Sequence, residues 1–240
     1  MYYRNLAAVI GMCAVILPAQ AASNINNLAG LSQSDFRLLS EDLGAALSYK
    51  PLTPAVSTGI TGFDVGLEVT STKLANPAVF DRAVSGGGPS SLVVPKLHVH
   101  KGLPFGIDVG AFYSAVPSSN IKLVGAEVRY AIVQGGIATP AVGLRGSYSA
   151  MTGVNQMDFH TTGVDLSISK GFAVFTPYAG VGIVQVTSTP NNVPGLTRTK
   201  FNENKVFVGA NINLLFVNLA FEADKTGNDT SYGAKLGWRF

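Results

Sequence analysis

The chain has 240 residues, 47% hydrophobic and 13% charged, with a formal net charge of +3 that is too small and too scattered to argue for nucleic acid. Its mean hydropathy is +0.29, yet no window after the N-terminus holds about eighteen uncharged apolar residues in a row, which excludes a helical membrane protein. The 27 glycines recur inside apolar-alternating runs, as at Gly66, Gly110, Gly125, Gly143, Gly163 and Gly209, a habit that closely paired strands tolerate and soluble helices seldom do.

Residues 1–21 read as a secretory signal peptide. Arg4 supplies the charged start, residues 6–17 the apolar core, and Ala19-Gln20-Ala21 a small-x-small cleavage site. Cys13, the sole cysteine, lies in that core. Met12 is too large to precede a lipidated cysteine, so the mature chain is expected to carry no thiol chemistry. Residues 22–59 form an N-terminal segment. Within it Phe36, Leu39, Leu43, Ala46 and Leu47 recur at helical spacing, with Ser34 placed to cap the run and Pro51 to end it. A short amphipathic helix is therefore predicted over 34–48, followed by a linker over 49–60.

From Ile60 the hydrophobic period becomes two. Alternation predicts strands at about 60–73, 90–102, 105–117, 121–134, 139–151, 157–171, 175–189, 201–214, 216–226 and 230–240. Short links near 103–104, 135–138, 172–174 and 215 alternate with mostly longer, polar ones at 74–89, 152–156, 190–200 and 227–229; the link at 118–120 is the tight exception.

The final strand alternates most cleanly. Tyr232, Ala234, Leu236, Trp238 and Phe240 share one face, and Gly233, Lys235, Gly237 and Arg239 the other. A strand with an aromatic as its last residue resembles the C-terminal signal of bacterial outer-membrane β-barrels, and residues 60–240 look most like the small, functionally uncharacterised proteobacterial type. The resemblance implies an all-β fold: an antiparallel transmembrane barrel of about ten strands with a short N-terminal periplasmic helix. It implies that assembly machinery reads Tyr232, Leu236, Trp238 and Phe240, that outer-membrane lipid surrounds the barrel, and that short turns face the periplasm. The helix would then plug or lie against the periplasmic mouth, or rest at the membrane interface. Tyr130, Phe172, Phe175, Tyr178, Phe216, Trp238 and Phe240 would form a lower aromatic girdle, and Tyr113, Tyr148 and Tyr232 an upper one.

If every apolar row faces lipid, the ionisable residues face the lumen. That set is Asp64, Glu68, Lys96, His98, His100, Asp108, Glu127, Arg129, Arg145, Asp165, Lys205, Glu222, Asp224, Lys235 and Arg239. Its signs nearly balance, so in a narrow barrel these side chains are expected to pair and fill the tube rather than line an open pore. His98 and His100 share a face, and pairing of His100 with Asp108 across the hairpin would gather two imidazoles and a carboxylate. No third donor of the right type is evident; lumenal hydrogen bonds to Asp108 or Glu127 are the plainer reading. His160 has only Asp158 nearby and Ser114 is poorly placed for a Ser–His pair, so no catalytic residue, metal site or cofactor is expected. Gly86-Gly-Gly88 reads as a flexible loop and Asn228-Asp-Thr230 as a hairpin tip. The functional expectation is a non-enzymatic outer-membrane barrel, structural or surface-interacting, with a narrow or charge-filled lumen. The alternatives are a passive transporter of small or hydrophobic solutes with the helix as plug, and a lipid or peptide hydrolase. A small solute or extracellular ligand is a possible partner.

Overall fold

The computed structural model describes residues 24–85 and 87–240, so the leader expected over 1–21, with Cys13, lies outside the described residues. Ten antiparallel strands follow one another around a closed barrel. They are β1 (Phe63–Lys73), β2 (Ser91–Gly102), β3 (Ile107–Ala115), β4 (Lys122–Gln134), β5 (Ala141–Thr152), β6 (Met157–Ser169), β7 (Phe175–Pro190), β8 (Thr199–Leu214), β9 (Val217–Thr226) and β10 (Asp229–Arg239). The seam closes where β10 pairs β1, and Phe63 and Phe240 exchange two backbone hydrogen bonds of 3.0 Å at its foot. Closure leaves no sheet edge exposed, which a spanning sheet requires because lipid cannot satisfy a backbone amide.

Among the described residues two α-helices accompany the sheet, α1 (Gln33–Leu47) and, within the β1–β2 loop, α2 (Pro77–Ala83). The N-cap of α1 is Ser32 rather than Ser34. Ser32 and Asp35 form a reciprocal capping box, in which the Ser32 side chain takes the Asp35 amide and the Asp35 carboxylate takes the Ser32 amide. Asp35 is one of the acid residues that satisfy orphan amides at a helix start, and Ser34 lacks such a partner at its +3 position.

The placement of α1 differs from that expected. It lies inside the barrel toward the end carrying the long loops, not at the short-turn mouth. Residues 24–62 run the length of the lumen. At the long-loop end the Ile25 amide donates to Asn120, the Leu28 amide to Gln156 and the Asn27 amide to the Ala83 carbonyl, while Gln33 and Thr197 exchange two hydrogen bonds. Farther down, Ser149 donates to the Leu47 carbonyl at 2.8 Å and the Ala55 amide to Ser169 at 3.1 Å. Thr58 then reaches Asp108 at the foot of β3, and β1 begins.

This occupant changes what the inner wall must be. Phe36, Leu39, Leu43 and Leu47 of α1 are buried in one cluster with Leu92, Val94, Phe159, Val184, Val186 and Phe201 of the strands. Each such side chain contributes about 1.5–3 kcal/mol relative to exposure. The rule that every apolar row faces lipid therefore fails in the long-loop half of the barrel, where the inner face is greasy because a greasy helix sits against it. Tyr178 is a second correction: it is buried inside the lumen rather than placed in the lower girdle. Glycines open space for such inward rings. A side chain at Gly209 would come within 2.3 Å of the Tyr178 ring, and one at Gly125 equally close to Phe112.

Candidate functional site

The outer wall is apolar through its middle. Leu67, Val124, Val128, Leu144, Val164, Val181, Val208, Phe221 and Leu236 all stand exposed on it, with Tyr113, Tyr148 and Tyr232 toward the long loops and Tyr130, Phe172, Phe175, Phe216, Trp238 and Phe240 toward the short turns. A soluble surface does not carry a continuous belt of this kind. The molecule is an integral membrane β-barrel. Tyr232, Leu236, Trp238 and Phe240 all lie on its outer face.

The lumen is where the ionisable groups gather, in the half nearer the short turns. Arg129 donates to the Asp108 carboxylate at 3.0 Å and to Thr53 Oγ1 and the Pro54 carbonyl at 2.9 and 2.6 Å, so one guanidinium serves both wall and threaded segment. Asp108 also accepts from the Thr58 amide at 2.9 Å and from the Ser57 and Thr58 hydroxyls. Arg145 bonds Asp165 at 2.5 Å and stands 3.7 Å from Glu127, and Lys205 approaches Asp165 to 3.7 Å while donating to the Tyr49 carbonyl at 3.1 Å. Lys235 pairs with Asp64 at 2.9 Å, with Arg239 at 3.4 Å from the same carboxylate. Lys50, carried into the lumen by the threaded segment, lies 3.5 Å from Asp224 and also donates to Ser48 and the Ala45 carbonyl. Lys96 rests over the Phe112 ring, and Glu222 is buried on β9 two residues from Asp224. Asp64, Asp108, Asp165 and Asp224 thus each meet a cation within a few ångströms, the condition for holding such charges out of water.

The His98 and His100 rings lie side by side, 4.0 Å between centroids, and the register sets both away from Asp108. His100 stands opposite Gly110, while Asp108 stands opposite Gly102, so the conditional His100–Asp108 pairing does not form. A side chain at Gly110 would meet the His100 ring at 2.3 Å, so the imidazole lies over that glycine and reaches Glu127 of β4 through Nε2 at 2.6 Å. His98 Nδ1 lies 2.7 Å from Glu68 Oε1, and His98 Nε2 lies 2.7 Å from the Tyr49 hydroxyl. Carboxylate, imidazole and hydroxyl in a row share the connectivity of a nucleophile, a base and its orienter. Here all three residues are buried, and Tyr49 and Phe112 rings cover the imidazole. A cavity of about 240 Å³ opens at the short-turn end, lined by Val56, Gln134, Thr139, Ser169 and Thr176, and the Tyr49–His98–Glu68 row does not border it. Among the described residues, no group of three or more His, Cys, Asp or Glu is arranged to hold a metal.

The sequence reading missed Tyr49, Lys50, Thr53 and Thr58 as part of this network, because they fall in the presumed linker. One signal was present: the long-loop end of β2 is apolar on both faces, as in Leu92-Val93-Val94, which a water-filled lumen would not explain.

No family model matches the chain, and no curated protein does. Solved structures that it is similar to are bacterial outer-membrane β-barrels. They include the N-terminal barrel domain of Pseudomonas aeruginosa OprF (14% identity, 74% of this chain and 97% of that one, TM-score 0.37) and Neisserial surface protein A (12%, 74% and 95%, 0.30). A third is Ail of Yersinia pestis, solved with the heparin analogue sucrose octasulfate (10%, 75% and 97%, 0.29). Superpositions this loose carry no residue, ligand or activity across to this chain.

Proposed function

We propose that this chain is a non-enzymatic outer-membrane barrel, structural or surface-interacting, whose lumen is shut by its own N-terminal segment. The observation that supports the reading is the course of residues 24–62, which occupy the bore from the long loops to the short turns and engage the wall's charges at Asp108, Arg129, Lys205 and Asp224. In this reading the long loops face outward, lipid and the assembly machinery are the obligatory partners, and any extracellular ligand meets the loops and the start of the threaded segment. Planar-bilayer recording tests it. The full chain is expected to give no steady conductance steps, and steady steps would overturn the reading.

A second reading, a passive transporter with α1 as a displaceable plug, is favoured by one contact. Asp42 on α1 accepts two hydrogen bonds from Asn76 of the β1–β2 loop, at 2.9 and 3.1 Å, so a force on that loop acts on the plug. Deletion of residues 22–50 is expected to yield channel steps under this reading, and silence of that deletion overturns it.

A further inference from the structure

The basic side chains of the outer wall divide by height. Near the short turns, Lys101 donates to the Ile60 and Gly62 carbonyls and Lys170 to those of Gly136, Ile137 and Thr139, so these ammonium groups are used to cap the chain's own turns. Near the long loops, Lys73, Lys122, Lys200 and Lys225 are exposed and have no partner among the described residues.

Two of them flank a single strand. Lys73 of β1 stands opposite Thr230 of β10, and Thr230 stands opposite Lys225 of β9. Two strand spacings set the lysine Cα atoms roughly 9–10 Å apart, within the reach of two four-carbon stems converging over the threonine hydroxyl. No acid shares this outer patch. The carboxylates of the same strands, Asp64, Glu68, Glu222, Asp224 and Asp229, are all buried toward the lumen. The register thus puts two lysine stems on either side of one hydroxyl with no carboxylate of these strands on the same face, and an anion bridging the two ammonium groups relieves their repulsion.

What lies next to the spot selects the anion. Val206 stands directly beside Lys225, and toward the membrane middle follow Tyr232, Val208 and Phe221, each of the four more than half exposed on the lipid-facing wall. A ligand whose phosphate sits on Lys73, Thr230 and Lys225 must lay whatever is attached to that phosphate along this apolar surface. We propose that Lys73, Thr230 and Lys225 form a binding site for the phosphate of an anionic lipid in the leaflet nearer the long loops, with its acyl chains against Val208 and Phe221. The inference rests on the membrane-barrel reading and adds a defined lipid position to it.

Native mass spectrometry of the full chain in detergent tests the site, with dioleoyl phosphatidic acid, dioleoyl phosphatidylcholine and inorganic phosphate as probes. The wild type is expected to retain phosphatidic acid in preference to phosphatidylcholine. The Lys73→Gln/Lys225→Gln variant is expected to lose about tenfold or more of that retention, in line with the contribution of each lysine at an anionic surface. The Lys122→Gln/Lys200→Gln variant is expected to match the wild type. Equal retention by all three proteins, or equal loss in both variants, overturns the site. Displacement of the lipid by inorganic phosphate as effective as that by phosphatidic acid overturns the lipid in favour of a free anion. Heat-modifiable gel migration of each variant reports the folded barrel separately; its absence in the wild type would sink the barrel reading, whereas lysine-independent retention by folded protein sinks the site alone.

Discussion

The Tyr49 hydroxyl stands 2.7 Å from His98 Nε2, and this bond ties the segment filling the lumen to the wall that encloses it. Tyr49→Phe leaves a buried ring nitrogen with no partner, a loss of about 1–3 kcal/mol. Urea unfolding of the detergent-folded protein, followed by the fluorescence of the single tryptophan, Trp238, checks it. His98→Ala is expected to cost more than Tyr49→Phe, because it also strips Glu68 of its imidazole.

Arg129 bonds wall and threaded segment together. Arg129→Leu leaves Asp108 buried without its cation and is expected to destabilise the barrel by about 3–5 kcal/mol. In the same urea assay, the double variant Arg129→Leu/Asp108→Leu should recover part of the loss. Additive losses in that pair would show that the two charges do not act as a unit.

Gly44 lets α1 approach the inner wall. A side chain there would come within 2.6 Å of Val186 Cγ2 and 3.0 Å of Glu203 Oε2. Gly44→Leu is expected to unseat the helix while leaving the strands intact. Its signature is faster amide exchange over residues 36–47 with unchanged exchange in β5 and β6.

Burial pushes the Asp42 carboxyl up to about 7, with the nearby charge of Asp229 adding to the rise and the two hydrogen bonds from Asn76 opposing it. A carboxyl that holds its proton more tightly when folded contributes stability in full below its ordinary value of 3.8, and that contribution is lost as the pH climbs through about 7. The C-terminal half of α1 is therefore expected to sit firmly at pH 5 and to loosen by pH 8. Amide exchange of residues 43–47, corrected for the intrinsic pH effect, measures this, and Asp42→Asn should flatten the profile.

The two faces of β4 can be separated by labels. Val128 is 55% exposed on the outer wall and Glu127, its neighbour, is buried in the lumen. A spin label at Val128→Cys in bilayers is expected to report high accessibility to oxygen and low accessibility to a water-soluble nickel complex. The reverse ranking would mean that the apolar belt does not face acyl chains.

Most of the barrel is legible in the chain because the strand period exposes both faces of each strand at once. Leu67 and Glu68, or Val128 and Arg129, announce opposite environments from adjacent positions. Register is less legible, and a His100–Asp108 pairing misses by two residues because the tight turn Pro104–Gly106, closed by the Leu103 amide on the Ile107 carbonyl, fixes Gly102 opposite Asp108. The threaded segment escapes reading for a different reason. Its contacts are long-range, as between Ala55 and Ser169 or Lys205 and Tyr49, and nothing local in Pro51, Thr53 or Pro54 declares that a wall surrounds them.

Phe63 and Phe240 join the first strand to the last around a cord that already occupies the middle. A hoop closed before its cord arrives would have to admit it past Arg129, Arg145 and Lys205, undoing pairs already made. Fastening the hoop last asks for no such undoing, so the β1–β10 seam is expected to fasten after residues 24–62 have taken their place, the step at which they become captive.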